Sequence, residues 1–504
     1  MRKTLSLALA ATAVAAATIS GASAASAPDT VTAAPDSLRW GPCPKKAGSP
    51  KAGSQKGGAP NTDAHRLECA TLDVPLDYRA PEGHQIEIAV SRLASKDPSK
   101  RRGVLLTNPG GPGSSGLDYP ALLAGAGLPK DVLDSYDVIG FDPRGVGRST
   151  PVTCDLTPRQ QARGNFPPYA RTAADVAKEA PHARAIAEQC ATSRTAWMLP
   201  HTTTANTARD MDRIRAALGE PKASYLGASY GSYLGAVYTT LFPGRSDRIV
   251  LDSNLGPGGY DLASFRLLGR GMEDRFPDFA AYAAAHPEYG LGTTPKHVTA
   301  KFFELVKRLD AEPVGGVDGT VFRGVTFESL YVEGLLPRLA KDWQALDKGK
   351  PLTTPPPQIS ENFLASHFYV TCGDSRWPGK VRDYQRNAAI DRLKYPMLGG
   401  STGSIKPCAY WPDSRVEPPV RIGDRGPSNV LMVQNERDPG TPLVSAMKLR
   451  RAFGDRATMV TADQAGHGVY PFGRNTCANN SVTAFLTNGQ RPAEDLACAA
   501  EPNK

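Results

Sequence analysis

Short, nearly continuous apolar runs recur along the chain, at residues 103–107, 136–141, 223–226, 248–252, 429–434 and 457–462. Such runs, without alternation, are the pattern of strands buried on both faces of a parallel sheet. Ahead of them, residues 68–78 and 85–94 read as two extended segments. In the second, Ile86, Ile88 and Val90 alternate with polar neighbours. A turn through Pro81, Glu82 and Gly83 separates the two, so the spacing predicts an antiparallel hairpin at the sheet edge. Residues 203–218 place Ala208, Met211, Ile214 and Leu218 near helical spacing, a small-residue helix runs from Tyr230 and stops before Pro243, and another ends at Phe453. Strands alternating with helices predict the α/β class with a mostly parallel sheet. Between residues 256 and 412 the alternation stops: 262–276 and 296–309 predict helices, 351–357 is a proline-rich connection, and Trp343, Trp377 and Trp411 fall here. This stretch reads as a helical insertion between two parts of one core, 36–255 and 413–504.

One turn organises the rest. After the run at 223–226 come Gly227-Ala228-Ser229-Tyr230-Gly231, a Gly-x-Ser-x-Gly turn between strand and helix. That is the nucleophile elbow of an α/β-hydrolase, which lifts a serine oxygen clear of the sheet on a strained turn. Glycines are needed there because a side chain would clash where strand and helix pack. In this fold the insertion at 256–412 is a cap over the site. With 49 glycines in 504 residues the pentapeptide alone is weak, so its partners decide the reading.

Two glycine-dense loops follow the earlier runs. They are Asn108-Pro109-Gly110-Gly111-Pro112-Gly113-Ser114-Ser115-Gly116 and Asp142-Pro143-Arg144-Gly145-Val146-Gly147-Arg148-Ser149. Loops at the C-terminal ends of parallel strands are where α/β proteins hold ligands. Gly111 to Gly116 also satisfies G-x-G-x-x-G, with Asp137 or Asp142 downstream, which raises a dinucleotide-dependent oxidoreductase as an alternative. Pro109 and Pro112 argue against it, because they remove backbone donors that a pyrophosphate would need. The favoured role is an oxyanion hole, from the N–H of Tyr230 plus one from Gly110 or Gly111. Asp142 and Arg144 are expected to hold their loop by ion pairing.

A serine needs a base, and a neutral histidine needs a carboxylate to fix its tautomer. Asp438 follows the run at 429–434 and His467 the run at 457–462, read as the last strand. The order Ser229, Asp438, His467 is this fold's triad order. Asp252, also at a strand end, is the reserve acid. His201, His286, His297 and His367 lack such a context and read as surface or satisfied core residues.

The N-terminus changes the compartment. Arg2 and Lys3, an apolar run over 5–19 and Ala22-Ser23-Ala24 form a secretory signal over residues 1–24. Residues 25–35 read as a pro-segment, the pattern of a zymogen. No later stretch is long and apolar enough for a membrane anchor, so a secreted, extracellular and monomeric protein is expected. Eight cysteines fit an oxidising compartment. Short loop closure pairs Cys43 with Cys69, Cys154 with Cys190, Cys372 with Cys408, and Cys477 with Cys498. No Cys-x-x-Cys spacing occurs, so neither a zinc site nor any cofactor is expected. The net charge of +9 lies partly in Lys45, Lys46, Lys51 and Lys56 within a Gly/Ser/Pro-rich loop, and does not call for nucleic acid.

Taken together, the two glycine loops, Gly227 to Ser232, Arg437-Asp438-Pro439-Gly440-Thr441-Pro442 and Gly466-His467-Gly468 resemble the secreted tripeptidyl aminopeptidases of actinobacteria. These are relatives of prolyl aminopeptidase with a TAP-like C-terminal region. The likeness runs from about Leu38 onward, with the Lys-rich loop as a departure. It implies a serine exopeptidase that releases tri- or tetrapeptides from free N-termini of peptides or proteins, often after proline, with Ser229, Asp438 and His467 as the triad. If three residues separate the amine from the scissile bond, an extended peptide places the amine roughly 10 Å from Ser229. A cap carboxylate should read it, and Glu328, Glu333 and Asp374 are the candidates. Ala33-Ala34-Pro35 before Asp36 resembles a substrate of such an enzyme, which points to trimming to Asp36. A secreted carboxylesterase or lipase with the same triad is the rival, separable only by substrate.

Overall fold

The computed structural model describes residues 38–44, 67–353 and 359–501. The signal, the pro-segment, the trimming point at Asp36, the Lys-rich tract and part of the proline-rich connection lie outside the described residues.

Ten strands form one sheet in the order β1-β2-β3-β5-β4-β6-β7-β8-β9-β10. They are β1 (Gly41–Pro42), β2 (Glu68–Pro75), β3 (Gln85–Leu93), β4 (Gly103–Asn108), β5 (Tyr136–Phe141), β6 (Ala223–Ala228), β7 (Ser246–Asp252), β8 (Val430–Arg437), β9 (Ala457–Ala465) and β10 (Leu496–Cys498). The pairs β1–β2, β2–β3 and β3–β5 are antiparallel and all others parallel. The predicted edge hairpin is β2–β3. Every residue of β4 and β5 is buried, as their unbroken apolar runs require. Each of the four expected disulfides is formed.

Strand order creates the site. From β4 the chain goes first to β5 on one side and then to β6 on the other, so β4 and β6 flank a topological switch point where α/β sheets open a crevice. Register aligns the ends: Asn108 pairs with Gly227, Ala228 with Asp252, Asp252 with Val433, and Arg437 with Ala465. Loops distant in sequence therefore leave the sheet at one edge.

Several expectations are corrected. The helix expected over 262–276 runs as Leu262–Ala284, through Pro277. Phe276 and Phe279, on either side of the proline, pack on Trp343 with ring centroids 6.0 and 4.9 Å away. Tertiary burial of both halves outweighs the hydrogen bond lost at proline. β9 is not the last strand, since β10 follows helix Thr476–Asn488 and Cys477–Cys498 ties the two together. Arg144 does hold its loop by an ion pair, whereas Asp142 holds it through hydrogen bonds. Arg144 forms a buried bidentate pair with Asp210, at 2.7 and 2.6 Å, while Asp142 accepts from Ser115 Oγ, the N–H groups of Gly116 and Leu117, and Arg148 N–H.

The Arg144–Asp210 pair has no solvent exposure on either side chain, and Tyr78 Oη donates to the same carboxylate at 2.7 Å. Asp210→Ala would leave a guanidinium buried without its counter-charge. It is expected to cost about 3–5 kcal/mol of stability, read as a lowered urea unfolding midpoint; an unchanged midpoint would refute this.

Candidate active site

Ser229 sits between β6 and helix Tyr230–Leu241 with φ 60° and ψ −126°, a left-handed conformation rare for a residue with a side chain. Its N–H donates to Asp252 O at 3.0 Å. Its carbonyl accepts from Ser232 N–H at 2.9 Å and Ser232 Oγ at 2.6 Å. Tyr225 Oη donates to Gly231 O at 2.8 Å, tying the helix to its own strand. A Cβ on Gly231 would lie 2.6 Å from Asn108 O, so the predicted intolerance of side chains is met there.

His467 Nδ1 lies 2.8 and 3.0 Å from the two carboxylate oxygens of Asp438. That carboxylate also accepts from Gly440 N–H (2.8 Å), Thr441 N–H (2.9 Å) and Thr441 Oγ1 (2.9 Å). Arg437 anchors the turn from the other side, pairing with Asp463 at 2.6 Å and Asp278 at 3.2 Å. Burial alone would lower the proton affinity of His467. The charge and hydrogen bond of Asp438, with a contribution from Asp252, hold it above the ordinary imidazole value of 6.5.

Asp252, the reserve acid, does not bond the imidazole. It is fully buried and accepts from Val469 N–H (3.0 Å), Tyr470 N–H (2.7 Å) and Ser253 Oγ (2.9 Å). Burial pushes its carboxyl up to about 6, against those hydrogen bonds. Its role is to hold the backbone that follows His467.

Ser229 and His467 open into one cavity of about 600 Å³ whose walls include Phe166, Tyr260, Phe327, Tyr331 and Phe363. Tyr331 buttresses His467. Its carbonyl accepts His467 N–H at 2.8 Å and its ring meets the imidazole edge-on at 4.8 Å. Gly111 also lines the cavity, and no acceptor faces its N–H or that of Tyr230 among the described residues. The N–H of Gly110 donates to Asn108 Oδ1 at 2.9 Å, so of the two loop glycines Gly111 is the available donor.

The dinucleotide reading fails on geometry. A Cβ on Gly113 would lie 2.6 Å from Phe363 O, so helix Glu361–Asp374 occupies the face a pyrophosphate would need. The Asp142 carboxylate that would bind a ribose is already filled by four donors.

The three amine-reading candidates separate. Glu328 lines the cavity, and no donor meets its carboxylate among the described residues. It is exposed to the open cavity while surrounded by protein, whose desolvation raises its pKa. Glu333 lies off the cavity and pairs with Arg275 at 2.6 Å. Asp374 faces a small separate recess and accepts from Thr204 N–H and Oγ1. Sequence reasoning missed Tyr331, Thr204 and His367. None sits in a motif, and His367, read as a surface or satisfied core residue, lines the cavity with its Nδ1 3.3 Å from Pro112 O.

Residues 395–498 match the family model described as TAP-like protein. Over 453 residues the chain is 36% identical to the tripeptidyl aminopeptidase of Streptomyces lividans, covering 86% of this chain and 84% of that one. It is 28% identical over 463 residues to the serine protease Hip1 of Mycobacterium tuberculosis, covering 85% and 87%. It is 30% identical over 464 residues to carboxylesterase B of the same species, covering 88% of each.

Asp438→Asn would leave His467 in the wrong tautomer and is expected to cut kcat about 10⁴-fold. Asp252→Asn should cut it far less, and equal losses would refute the assignment of Asp438. If His467 is the base it must be neutral to act, and activity is then lost as pH falls through its pKa. The acid limb of kcat/KM should therefore have its midpoint above 6.5; in the residual activity of Asp438→Asn it should move down, since burial is then less opposed.

Proposed function

The chain belongs to the tripeptidyl aminopeptidase family and is a serine hydrolase of the α/β-hydrolase fold, and from this we propose that it is a secreted exopeptidase releasing tri- or tetrapeptides from free N-termini. The observation that carries the reading is the Asp438–His467 pair opening, with Ser229, into a cavity whose wall also bears the carboxylate of Glu328, which meets no donor among the described residues. Four disulfides fit an oxidising compartment. No described helix is long and apolar enough to cross a membrane.

In this reading His467 takes the proton of Ser229 Oγ as the oxygen attacks the scissile carbonyl. The oxyanion is received by the N–H groups of Gly111 and Tyr230. The imidazolium, stabilised by Asp438, then protonates the leaving amine, and water attacks the acyl-enzyme by the same route in reverse. Glu328 holds the substrate's free ammonium, which fixes how many residues lie between it and Ser229. The flat aromatic walls suit a proline ring at the residue whose carbonyl is attacked. A carboxylesterase is the second reading, favoured by the likeness to carboxylesterase B.

Unblocked Ala-Ala-Pro p-nitroanilide should be cleaved and its N-acetyl form refused. Glu328→Gln should lower kcat/KM on the free peptide about tenfold to a hundredfold, with no change on a simple acyl ester. Activity confined to esters would decide for the second reading, and an unchanged Glu328→Gln would move the ammonium site elsewhere.

A further inference from the structure

The helix Glu361–Asp374 belongs to the insertion, yet its polar side chains are spent on loops of the core. Asn362 accepts from Gly147 N–H at 2.8 Å and donates to Gly145 O at 2.9 Å and Val152 O at 2.8 Å. Ser366 donates to Gly145 O at 2.8 Å. Two further arms reach the residues on either side of the oxyanion hole. On one, His367 Nδ1 lies 3.3 Å from Pro112 O, and because a carbonyl only accepts, Nδ1 carries the proton. Pro112 follows Gly111 directly, and the next residue, Gly113, seats on the helix backbone at Phe363 O.

On the other arm, Asp374 accepts Thr204 N–H at 3.0 Å and Thr204 Oγ1 at 2.5 Å, and Thr204 Oγ1 lies 2.6 Å from Tyr230 Oη. Tyr230 follows the nucleophile directly, and its N–H is the elbow's donor in the oxyanion reading. His367, Thr204 and Tyr230 are 1%, 2% and 3% exposed, so neither arm is a solvated surface contact.

We propose that this helix is a brace that sets the separation of the two oxyanion donors, with His367 and Asp374 as positioning residues at its two arms. The proposal rests on the oxyanion reading above. Gly110, Gly111 and Gly113 all have positive φ; the loop's own side-chain bonds reach Gly110 through Asn108 and resume only at Ser115, so Gly111 lies between them. The elbow is strained as well. Donors must stand about 2.7–3.1 Å from the developing oxyanion, so both loops need an external reference. One helix linked to both, at Pro112 directly and at Tyr230 through Thr204, makes their spacing a property of a rigid element, and Cys372–Cys408 fastens its last turn beside Asp374. Thr204 and Asp374 do not line the cavity, so a change there reaches the substrate only through Tyr230.

The test uses the full-length protein and Thr204→Val, which removes the hydroxyl link and keeps the side-chain shape. Active sites are counted with a fluorophosphonate, so unfolded material does not enter kcat. Inhibition is measured with a peptide aldehyde, whose hemiacetal with Ser229 presents an oxyanion, and with the matching product tripeptide. Thr204→Val should lower kcat per active site about tenfold or more and weaken the aldehyde by the same factor. KM and product binding should stay within about twofold, because the lost stabilisation belongs to the transition state alone. Thr204→Ser, which keeps the hydroxyl, should restore both. His367→Asn, whose amide can still donate to Pro112 O, should keep more kcat than His367→Phe. Wild-type kcat per active site in Thr204→Val, or equal loss of aldehyde and product binding, would overturn the brace. A wild-type enzyme that binds the aldehyde no better than the product would instead overturn the oxyanion reading on which it rests.

Discussion

The backbone of Ser229, held at φ 60°, is the constraint that the rest of the structure serves. A non-glycine residue there costs about 1–3 kcal/mol and persists only where its surroundings over-determine it. They do so from three sides. Asp252 O takes the serine's N–H, Ser232 takes its carbonyl twice, and Asn108 O closes on Gly231 from the neighbouring strand. Each of these partners comes from a strand or helix whose place the parallel sheet dictates. The strain therefore depends on register, and a slip between β4 and β6 would remove it together with the placement of the half-buried serine at the cavity.

Around this elbow two buried carboxylates divide one task. Asp438 has its hydrogen-bond capacity filled by two backbone N–H groups, a hydroxyl and the imidazole, which suits an anion facing an imidazolium. Asp252 has only backbone and hydroxyl donors and no counter-ion of its own. Burial lifts its carboxyl while the donors oppose the lift. The same residue type at two neighbouring strand ends thus serves electrostatics in one case and loop geometry in the other, because only Asp438 lies within hydrogen-bonding reach of the ring.

The helical segment between β7 and β8 does more than cover the sheet edge. It contributes cavity walls at Tyr260, Phe327 and Phe363, the carboxylate of Glu328, and a direct support for His467 through Tyr331. It also grips the core. A Cβ on Gly440, beside the acid, would lie 2.8 Å from Tyr331 Oη, so the acid turn and the insertion are packed together with no slack. The described residues accordingly fall in one compact unit rather than two.

How much of this was legible depends on the range of the forces involved. The sequence by itself determined the parallel strands, through unbroken apolar runs. It also determined the edge hairpin, through its alternation, and the disulfide partners, through short closure. The turns that carry Ser229, Asp438 and His467 were legible because turn chemistry is local: glycine, proline and short polar residues at strand ends mark loops whatever the tertiary context. Helix Glu361–Asp374 was not, because residues 364–373 are all buried and a helix covered on every side shows no polar face to give it a period. The passage of Leu262–Ala284 through Pro277 was hidden for a related reason, since the packing that overrides the proline comes from Trp343, far along the chain. Whether Asp438 or Asp252 meets the imidazole, whether Gly110 or Gly111 keeps a free N–H, and which acid looks into the cavity were decided by tertiary structure alone. Each turns on a separation of a few ångströms between residues brought together only when the sheet closes its register and the insertion packs on its edge.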